Sequence, residues 1–335
     1  MWTDRPIEPE DLSSFAPPGT DLGTLAGRCF ALLSQQERAW PRLRQGVEAL
    51  ARIRQRHIDL NAWPVMIQFN PARAASSLAD VAPAAIARRP CFLCAENLPP
   101  EQRGIRRGRY VLLANPAPIV RGHLTLVYER HVPQELMPNV DDLLRIVADL
   151  GESFTIFYNG PRCGASAPDH MHFQAAPAGQ MPIEPALESG VCLHERRWPA
   201  GTWGRVLADS ADASRRTRCV ITLSGADETE LSLVMRQVLD RLPRPDDGGE
   251  PLVNLLARRS QGRTSIILFP RLVHRPRCYF AEGPDRILLS PGVMDMAGLV
   301  ITVRAEDYER AGADLIAAMY REITLPADRV IASAE

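Results

Sequence analysis

The sequence predicts an α+β fold of antiparallel sheets with packed helices, in which one α+β unit is duplicated. Three observations predict it. The chain has 335 residues and is 45% hydrophobic, so it can bury a core large enough for two units. Short apolar runs typical of strands are interspersed with segments of helical periodicity. Each half of the chain carries several such runs and one main helix, which indicates duplication in the order of elements, without repeated residues.

Residues 1–60 are predicted to form an N-terminal helical extension, because apolar residues recur at helical spacing over 21–58. The next unit, residues 61–180, is the half predicted to carry the chemistry. Its predicted strands are residues 65–69, 110–114, 122–128 and 153–158, followed by a strand through 170–174. A helix is predicted at 139–150.

A linker is predicted at 181–204, where Pro, Gly and Ala are frequent. Residues 205–335 form the predicted C-terminal half, with helices at 228–242 and 306–322. Its predicted strands are residues 218–223, 253–257, 265–269, 278–281, 287–289 and 299–303.

Charge and composition exclude several classes of partner. The formal net charge is -1, so nothing favours nucleic acid or a membrane surface. No apolar run approaches the roughly 20 residues that span a bilayer. The first residues lack the pattern of a signal peptide, and seven cysteines do not suit a disulfide framework. We therefore expect a cytoplasmic protein, and the sequence leaves its oligomeric state open.

Residues 159–174 hold the candidate catalytic groups. They end in His170-Met171-His172-Phe173-Gln174, and side chains at i, i+2 and i+4 share one face of a strand. The preceding loop is rich in Gly, Ser and Pro and contains Arg162, which indicates a cradle for phosphate. A nucleophilic imidazole beside such a cradle favours covalent transfer of a phosphorus group. The alternative is an amphipathic strand whose polar face holds two histidines.

The pair Cys91-x-x-Cys94 has the spacing of half a tetrahedral zinc site. Two further ligands must come from elsewhere in the chain. His131 and His170 are the best candidates, because each lies at the end or start of a predicted strand. His123 is the competitor, and a pair of buried thiols without metal is the alternative reading.

Basic residues outside this region are candidate phosphate ligands. Arg73 lies in a turn after the first predicted strand of the catalytic half. Four cations, among them Arg271 and His274, directly follow the strand at 265–269, where they could grip a leaving or incoming phosphate. A solvated basic turn is the alternative.

Several of these residues occur in an order that resembles galactose-1-phosphate uridylyltransferase. That enzyme belongs to the transferase branch of the histidine-triad superfamily, with diadenosine tetraphosphate phosphorylases and plant-type GDP-L-galactose phosphorylases. The match covers about residues 65–180, and the second half resembles the family only in its order of strands and helices. The residues that carry it are Cys91, Cys94, Asn115, His131, Asn159, Ser166, His170, His172 and Gln174.

The resemblance implies a duplicated histidine-triad-like unit with a zinc ion on Cys91, Cys94, His131 and His170. It also implies roles for the remaining matched residues. His172 is the nucleophile that carries the nucleotidyl group, Gln174 holds the phosphoryl oxygens, Asn115 contacts the nucleoside, and Asn159 and Ser166 contact phosphate. The hydrolase branch has a third histidine where Gln174 stands. Since Gln cannot act as an acid or base at neutral pH, transfer is favoured over hydrolysis.

The sequence therefore predicts a zinc-containing nucleotidyltransferase or nucleotide phosphorylase. It would move a nucleoside monophosphate from a dinucleotide or nucleotide sugar to phosphate or a sugar phosphate, through a nucleotidyl-His172 intermediate. Two alternatives remain: a histidine-triad nucleotide hydrolase, and an inactive zinc-stabilised nucleotide-binding module.

Overall fold

The computed structural model describes residues 2, 5–77 and 79–335. Within them the strands β1 to β13 are Arg54–Ile58, Val65–Phe69, Gly104–Arg107, Tyr110–Ala114, Leu124–Tyr128, Phe154–Asn159, His172–Pro177, Val191–Arg197, Trp203–Ala208, Cys219–Gly225, Val253–Ser260, Arg263–Pro270 and Leu299–Thr302. The helices α1 to α13 are Pro9–Leu12, Leu25–Ala39, Pro41–Leu50, Ala74–Ser77, Pro83–Arg88, Val140–Leu150, Ile183–Ala186, Glu228–Arg241, Arg277–Phe280, Val293–Met296, Ala305–Arg310, Ala313–Ile323 and Ala327–Ala334. No helix in these ranges is long and apolar enough to cross a membrane.

Ten strands form one antiparallel sheet in the order β3-β4-β5-β7-β6-β11-β12-β10-β9-β8. A second, three-stranded sheet has the order β1-β2-β13, and β13 runs parallel to β2. The predicted α+β class with a large antiparallel sheet is confirmed.

The large sheet joins the two halves of the chain through the pairing of β6 with β11. Counted from its outer edge, each half has the same order: three consecutive strands, then the fifth, then the fourth. In each half the long helix, α6 or α8, lies between the third and fourth strands.

Both faces of the large sheet are covered, which explains why β6 is buried at every position. One core contains Tyr158 and Phe173 and packs against α2, α6 and α8. The opposite core contains Phe157 and packs against the small sheet. Because neighbours in a strand alternate, His172 and Gln174 point to the face opposite Phe173. This face holds the site described below.

Several predicted elements were wrong in their type or extent. The helix predicted at 21–58 is two helices and strand β1, because Pro41 cannot donate the hydrogen bond that would continue α2. Of the strand predicted at 278–281, residues 278–280 fall in helix α9, and 287–289 form no strand. A short apolar run does not by itself distinguish strand from helix.

The predicted linker at 181–204 is not irregular throughout, since β8 forms the outer edge of the sheet there. The sequence did not indicate this strand, because its residues are largely charged and solvent-exposed, unlike those of a buried strand. The closing helix predicted at 306–322 is interrupted at Gly312, which separates α11 from α12.

Candidate active site

His172 opens β7, and its ring lines a cleft of about 450 Å³ between the two sheets. Nδ1 lies 2.8 Å from the carbonyl oxygen of His170. Since a carbonyl can only accept, Nδ1 carries the hydrogen and Nε2 keeps its lone pair. Nε2 has no hydrogen-bond partner among the described residues. Burial lowers the pKa of His172 to about 4, so the ring is neutral at pH 7.

Gln134 fixes the backbone on both sides of this imidazole. Its Oε1 accepts from the His172 N–H at 2.8 Å, and its Nε2 donates to the carbonyls of His172 and Asn159, both at 3.0 Å. The β6–β7 ladder has its last pair at Phe157 and Gln174. Gln134 thus links β6 to β7 at Asn159 and His172, two residues beyond the last pair of the ladder. Sequence reasoning missed Gln134, because a single Gln after a strand carries no pattern.

Gln174 also lines the cleft, and His123 orients its amide. His123 Nδ1 accepts weakly from the Ile119 N–H at 3.4 Å, so Nε2 is the donor to Gln174 Oε1 at 2.9 Å. The Gln174 NH₂ group is then free to donate into the cleft. Burial lowers the pKa of His123 to about 3, which keeps it neutral. His123 is not one of the residues gathered around Cys91 and Cys94, and it orients Gln174 instead.

The two asparagines singled out by sequence both line the cleft. Asn159 Oδ1 accepts from Asn254 Nδ2 at 2.9 Å and from the Val293 N–H at 2.7 Å, so its NH₂ is left for the cleft. Asn115 Oδ1 accepts from the Ala117 N–H, and its Nδ2 donates to Thr125 Oγ1, each at 3.0 Å. The amide of Asn115 is thereby held at the cleft wall.

Ser166 and Arg73 lie in the same cleft. Arg73 Nη1 donates to the Ala117 carbonyl at 2.7 Å, and its buried Nε has no partner among the described residues. Burial lowers the pKa of Arg73 to about 10, so it remains a cation at neutral pH. A half-buried cation without a carboxylate bonded to it suits an anionic ligand.

Two arginines predicted to bind substrate lie outside the cleft lining. Arg162 is exposed and pairs with Asp247. Arg271 is only 4% exposed, and its five N–H groups all reach protein acceptors: the carbonyls of Ile323, Pro291, Val273 and His274, and Asn254 Oδ1. Arg271 therefore supports Asn254, and through it Asn159, instead of offering a donor to substrate. His274, three residues later, does line the cleft.

Cys91, Cys94, His131 and His170 bring one ligand atom each to a cluster in which all four atoms lie within 4.8 Å of one another. Sulfur-to-nitrogen separations are 3.3 Å for Cys91–His170, 3.2 Å for Cys94–His131 and 3.6 Å for Cys94–His170. A tetrahedral zinc ion would separate sulfur and nitrogen ligands by about 3.6 Å, so this donor set fits a metal ion.

The surroundings of the cluster suit a closed site. His170 Nε2 donates to the Tyr128 carbonyl at 2.8 Å, which leaves Nδ1 for a metal. His131 Nε2 lies 3.7 Å from Asp169 Oδ2. Burial and the neighbouring Cys91 raise the pKa of Cys94 to about 12, so a bound cation would be needed to hold it as thiolate.

Both apolar and polar side chains line the cleft. The apolar ones include Phe92, Leu93, Leu98 and Leu113, and the polar ones include His172, Gln174, Asn159 and Arg73. Such a cleft can bury a flat apolar ring while presenting donors and a nucleophile to an attached anion.

Comparison with solved structures shows that the chain has a fold similar to that of a nucleotide phosphorylase, in agreement with the fold implied by the resemblance drawn from the sequence. The particular structures are two of yeast Ap4A phosphorylase Apa2. One has a TM-score of 0.51 and 17% identity and covers 85% of this chain and 94% of that chain. The other, in complex with AMP, has a TM-score of 0.52 and 17% identity and covers 85% and 97%.

The family model described as Domain of unknown function (DUF4922) matches residues 32–177, which include β7 and the thiol cluster. No curated protein matches the chain. At 17% identity the likeness to Apa2 defines the fold, and the reaction must be argued from the site itself.

Proposed function

We propose that the protein is a nucleotidyltransferase of the phosphorylase type, which works through a nucleotidyl-His172 intermediate. The observation that carries the proposal is the open Nε2 of a neutral, buried His172 in a cleft with the free amide of Gln174. A neutral imidazole is the form that can attack phosphorus.

The chemistry of the cleft supports a nucleotide substrate. The apolar side chains that line the cleft would pack against a base, and Arg73 with the amides of Gln174 and Asn159 offers donors to phosphoryl oxygens. The yeast phosphorylase of the same fold has been solved with AMP, which supports a nucleoside monophosphate as the transferred group.

The reaction is proposed to run in two displacements. In the first, His172 Nε2 forms a bond to the α-phosphorus, and the bond from that phosphorus to the bridging oxygen breaks. The leaving group departs as a nucleotide, or as a sugar phosphate when the donor is a nucleotide sugar. In the second, an oxygen of phosphate or a sugar phosphate attacks the same phosphorus and the P–N bond breaks. Inorganic phosphate as acceptor yields a nucleoside diphosphate.

Zinc is the metal that we propose for Cys91, Cys94, His131 and His170, because two thiolates and two imidazoles form a typical closed zinc site. A bound zinc would tie the Cys91 loop to the start of β7. The role of these residues is then to hold the backbone that carries His172.

The shared strand order supports a proposal that the two halves are copies of one unit, 61–180 and 205–335, with 1–60 as an extension. Arg271 and Asn254 belong to the second copy and brace Asn159 in the first. The second copy would thus have become a support for the catalytic one.

The test is a screen of dinucleoside polyphosphates and nucleotide sugars, each incubated with ¹⁸O-labelled phosphate and analysed by mass spectrometry. The proposal predicts a nucleoside diphosphate that carries the label in its terminal phosphate. A nucleoside monophosphate without label from added phosphate would instead identify a hydrolase. Binding without any product would identify an inactive nucleotide-binding module.

A further inference from the structure

Arg275 lines the same cleft as His172. Its Nε donates to Ser290 Oγ at 2.9 Å, and the guanidinium lies 4.3 Å from the centre of the Tyr279 ring. Among the described residues neither Nη atom has a hydrogen-bond or carboxylate partner. Arg275 is therefore held in place by groups that leave its outer N–H donors free.

The turn that carries Arg275 is anchored at its base. The Arg271 N–H donates to the Leu252 carbonyl at 2.7 Å, and the Leu272 N–H donates to the Ile323 carbonyl at 2.8 Å. The buried guanidinium of Arg271 also holds the carbonyls of Val273 and His274. These bonds fix the direction in which residues 274 and 275 enter the cleft, and a fixed donor costs less entropy on binding.

The neighbouring charged groups do not neutralise Arg275. Arg277 is exposed and pairs with Glu322, so it is engaged elsewhere. Asp295 lines the cleft, but its carboxylate accepts from the N–H groups of Gly292 and Ile301, each at 2.9 Å. Burial and the adjacent Arg271 and Arg275 lower the pKa of His274 to about 3, so His274 contributes no positive charge.

We propose that Arg275, with Ser290 and His274 beside it, forms a second phosphate subsite contributed by the C-terminal half. It would hold a phosphate group separate from the one attacked by His172. That group is either the attacking inorganic phosphate or a distal phosphate of the donor. The assignment rests on the proposed function for its place in the reaction, but the binding itself can be measured without turnover.

The experiment is titration calorimetry of the full chain with two probes, inorganic phosphate and tripolyphosphate. Variants are Arg275→Gln and Arg275→Lys, with Arg277→Gln as the matched control two residues away. We expect Arg275→Gln to weaken binding by about tenfold or more, because two charge-assisted hydrogen bonds are lost. Arg275→Lys should recover part of the affinity, since it restores charge without the fork. Arg277→Gln should bind as the wild type does.

The two probes separate the two sources of phosphate. Loss of affinity for inorganic phosphate identifies the acceptor subsite, and loss for tripolyphosphate alone identifies the distal part of the donor. Equal binding by Arg275→Gln and wild type, or no binding of either probe to wild type, overturns the proposal. If Arg275-dependent binding is present and no nucleotidyl-enzyme ever forms, the subsite stands and the proposed function fails.

Discussion

The side-chain amide of Gln134 holds His172 by both its backbone N–H and its carbonyl, at 2.8 and 3.0 Å. It also holds the carbonyl of Asn159 on the neighbouring strand. His172, the proposed nucleophile, therefore begins β7 at a position set by a side chain from outside the β6–β7 ladder.

Gln134→Leu should lower turnover by about 100-fold while the KM for the donor changes little, because misplacing a reacting group by about an ångström has effects of this size. It should also cost about 1–3 kcal/mol of stability, since three backbone groups lose their partner. Steady-state kinetics and denaturant unfolding measure the two effects. Gln36→Leu is the control, because Gln36 is equally buried and bonds the backbone of Glu101 and Arg103 away from the cleft lining. A similar loss of turnover in both variants would assign Gln134 to stability alone.

His123 and Gln174 should act as a pair. Their hydrogen bond of 2.9 Å orients the Gln174 amide, so His123→Phe and Gln174→Ala remove the same contribution. In a double-mutant cycle on kcat/KM we expect a coupling energy of about 1–3 kcal/mol. Because burial holds the pKa of His123 near 3, the coupling should be equal at pH 6 and pH 8. Purely additive effects on kcat/KM would mean that His123 does not act through Gln174.

If Cys91, Cys94, His131 and His170 bind zinc as proposed, elemental analysis should find one zinc ion per chain. Cys91→Ser should lower both the metal content and the melting temperature, because one of four ligands is lost. Cys192→Ser is the control, since Cys192 is an exposed free cysteine outside the cluster. An unchanged metal content in Cys91→Ser would show that the ion, if any, binds elsewhere.

The raised pKa of Glu250 should make the free energy of unfolding depend on pH. Its carboxylate accepts from Tyr158 Oη at 2.7 Å and from the Leu136 N–H, and burial raises its pKa from 4.5 to about 7. Between these values the folded state binds more protons than the unfolded state, so stability falls as pH rises from about 4.5 to 7 and stays lower above. Glu250→Gln removes this dependence. The free energy of unfolding of Glu250→Gln, taken relative to wild type, should be higher at pH 8 than at pH 4 by up to about 3 kcal/mol.

The measurement is denaturant unfolding of wild type and Glu250→Gln from pH 4 to pH 8. The exposed Glu282→Gln serves as control and should follow the wild-type curve. Parallel curves for wild type and Glu250→Gln would mean that Glu250 titrates normally in the folded protein.

The sequence could predict those parts of the site in which the relevant residues stand close together at a characteristic spacing. Cys91-x-x-Cys94 and His170-x-His172-x-Gln174 have spacings that specify chemistry, and the structure brings His131 and His170 to the two thiols. The α+β class was likewise predictable, because apolar runs and helical periods are local properties. The missing parts depend on contacts between distant segments. Nothing beside Gln134 in sequence indicates that its amide reaches β6 and β7.

The basic turn shows the same limit. Arg271 and Arg275 are alike in sequence, and Arg271 was predicted to bind phosphate. Burial against the Ile323 carbonyl and Asn254 decides that Arg271 is structural, and those groups lie far away in the chain. Only the folded arrangement distinguishes a satisfied guanidinium from a free one.

The most direct test of the central claim is covalent labelling of His172. The protein is incubated with a donor labelled in its α-phosphate and without acceptor, then separated from free nucleotide. The account predicts label on the wild type that is lost in mild acid and retained in base, as a phosphoramidate is, and that leaves on addition of phosphate. His172→Ala should take up none and should lose several orders of magnitude in turnover. Label uptake by His172→Ala at the wild-type rate would contradict the account.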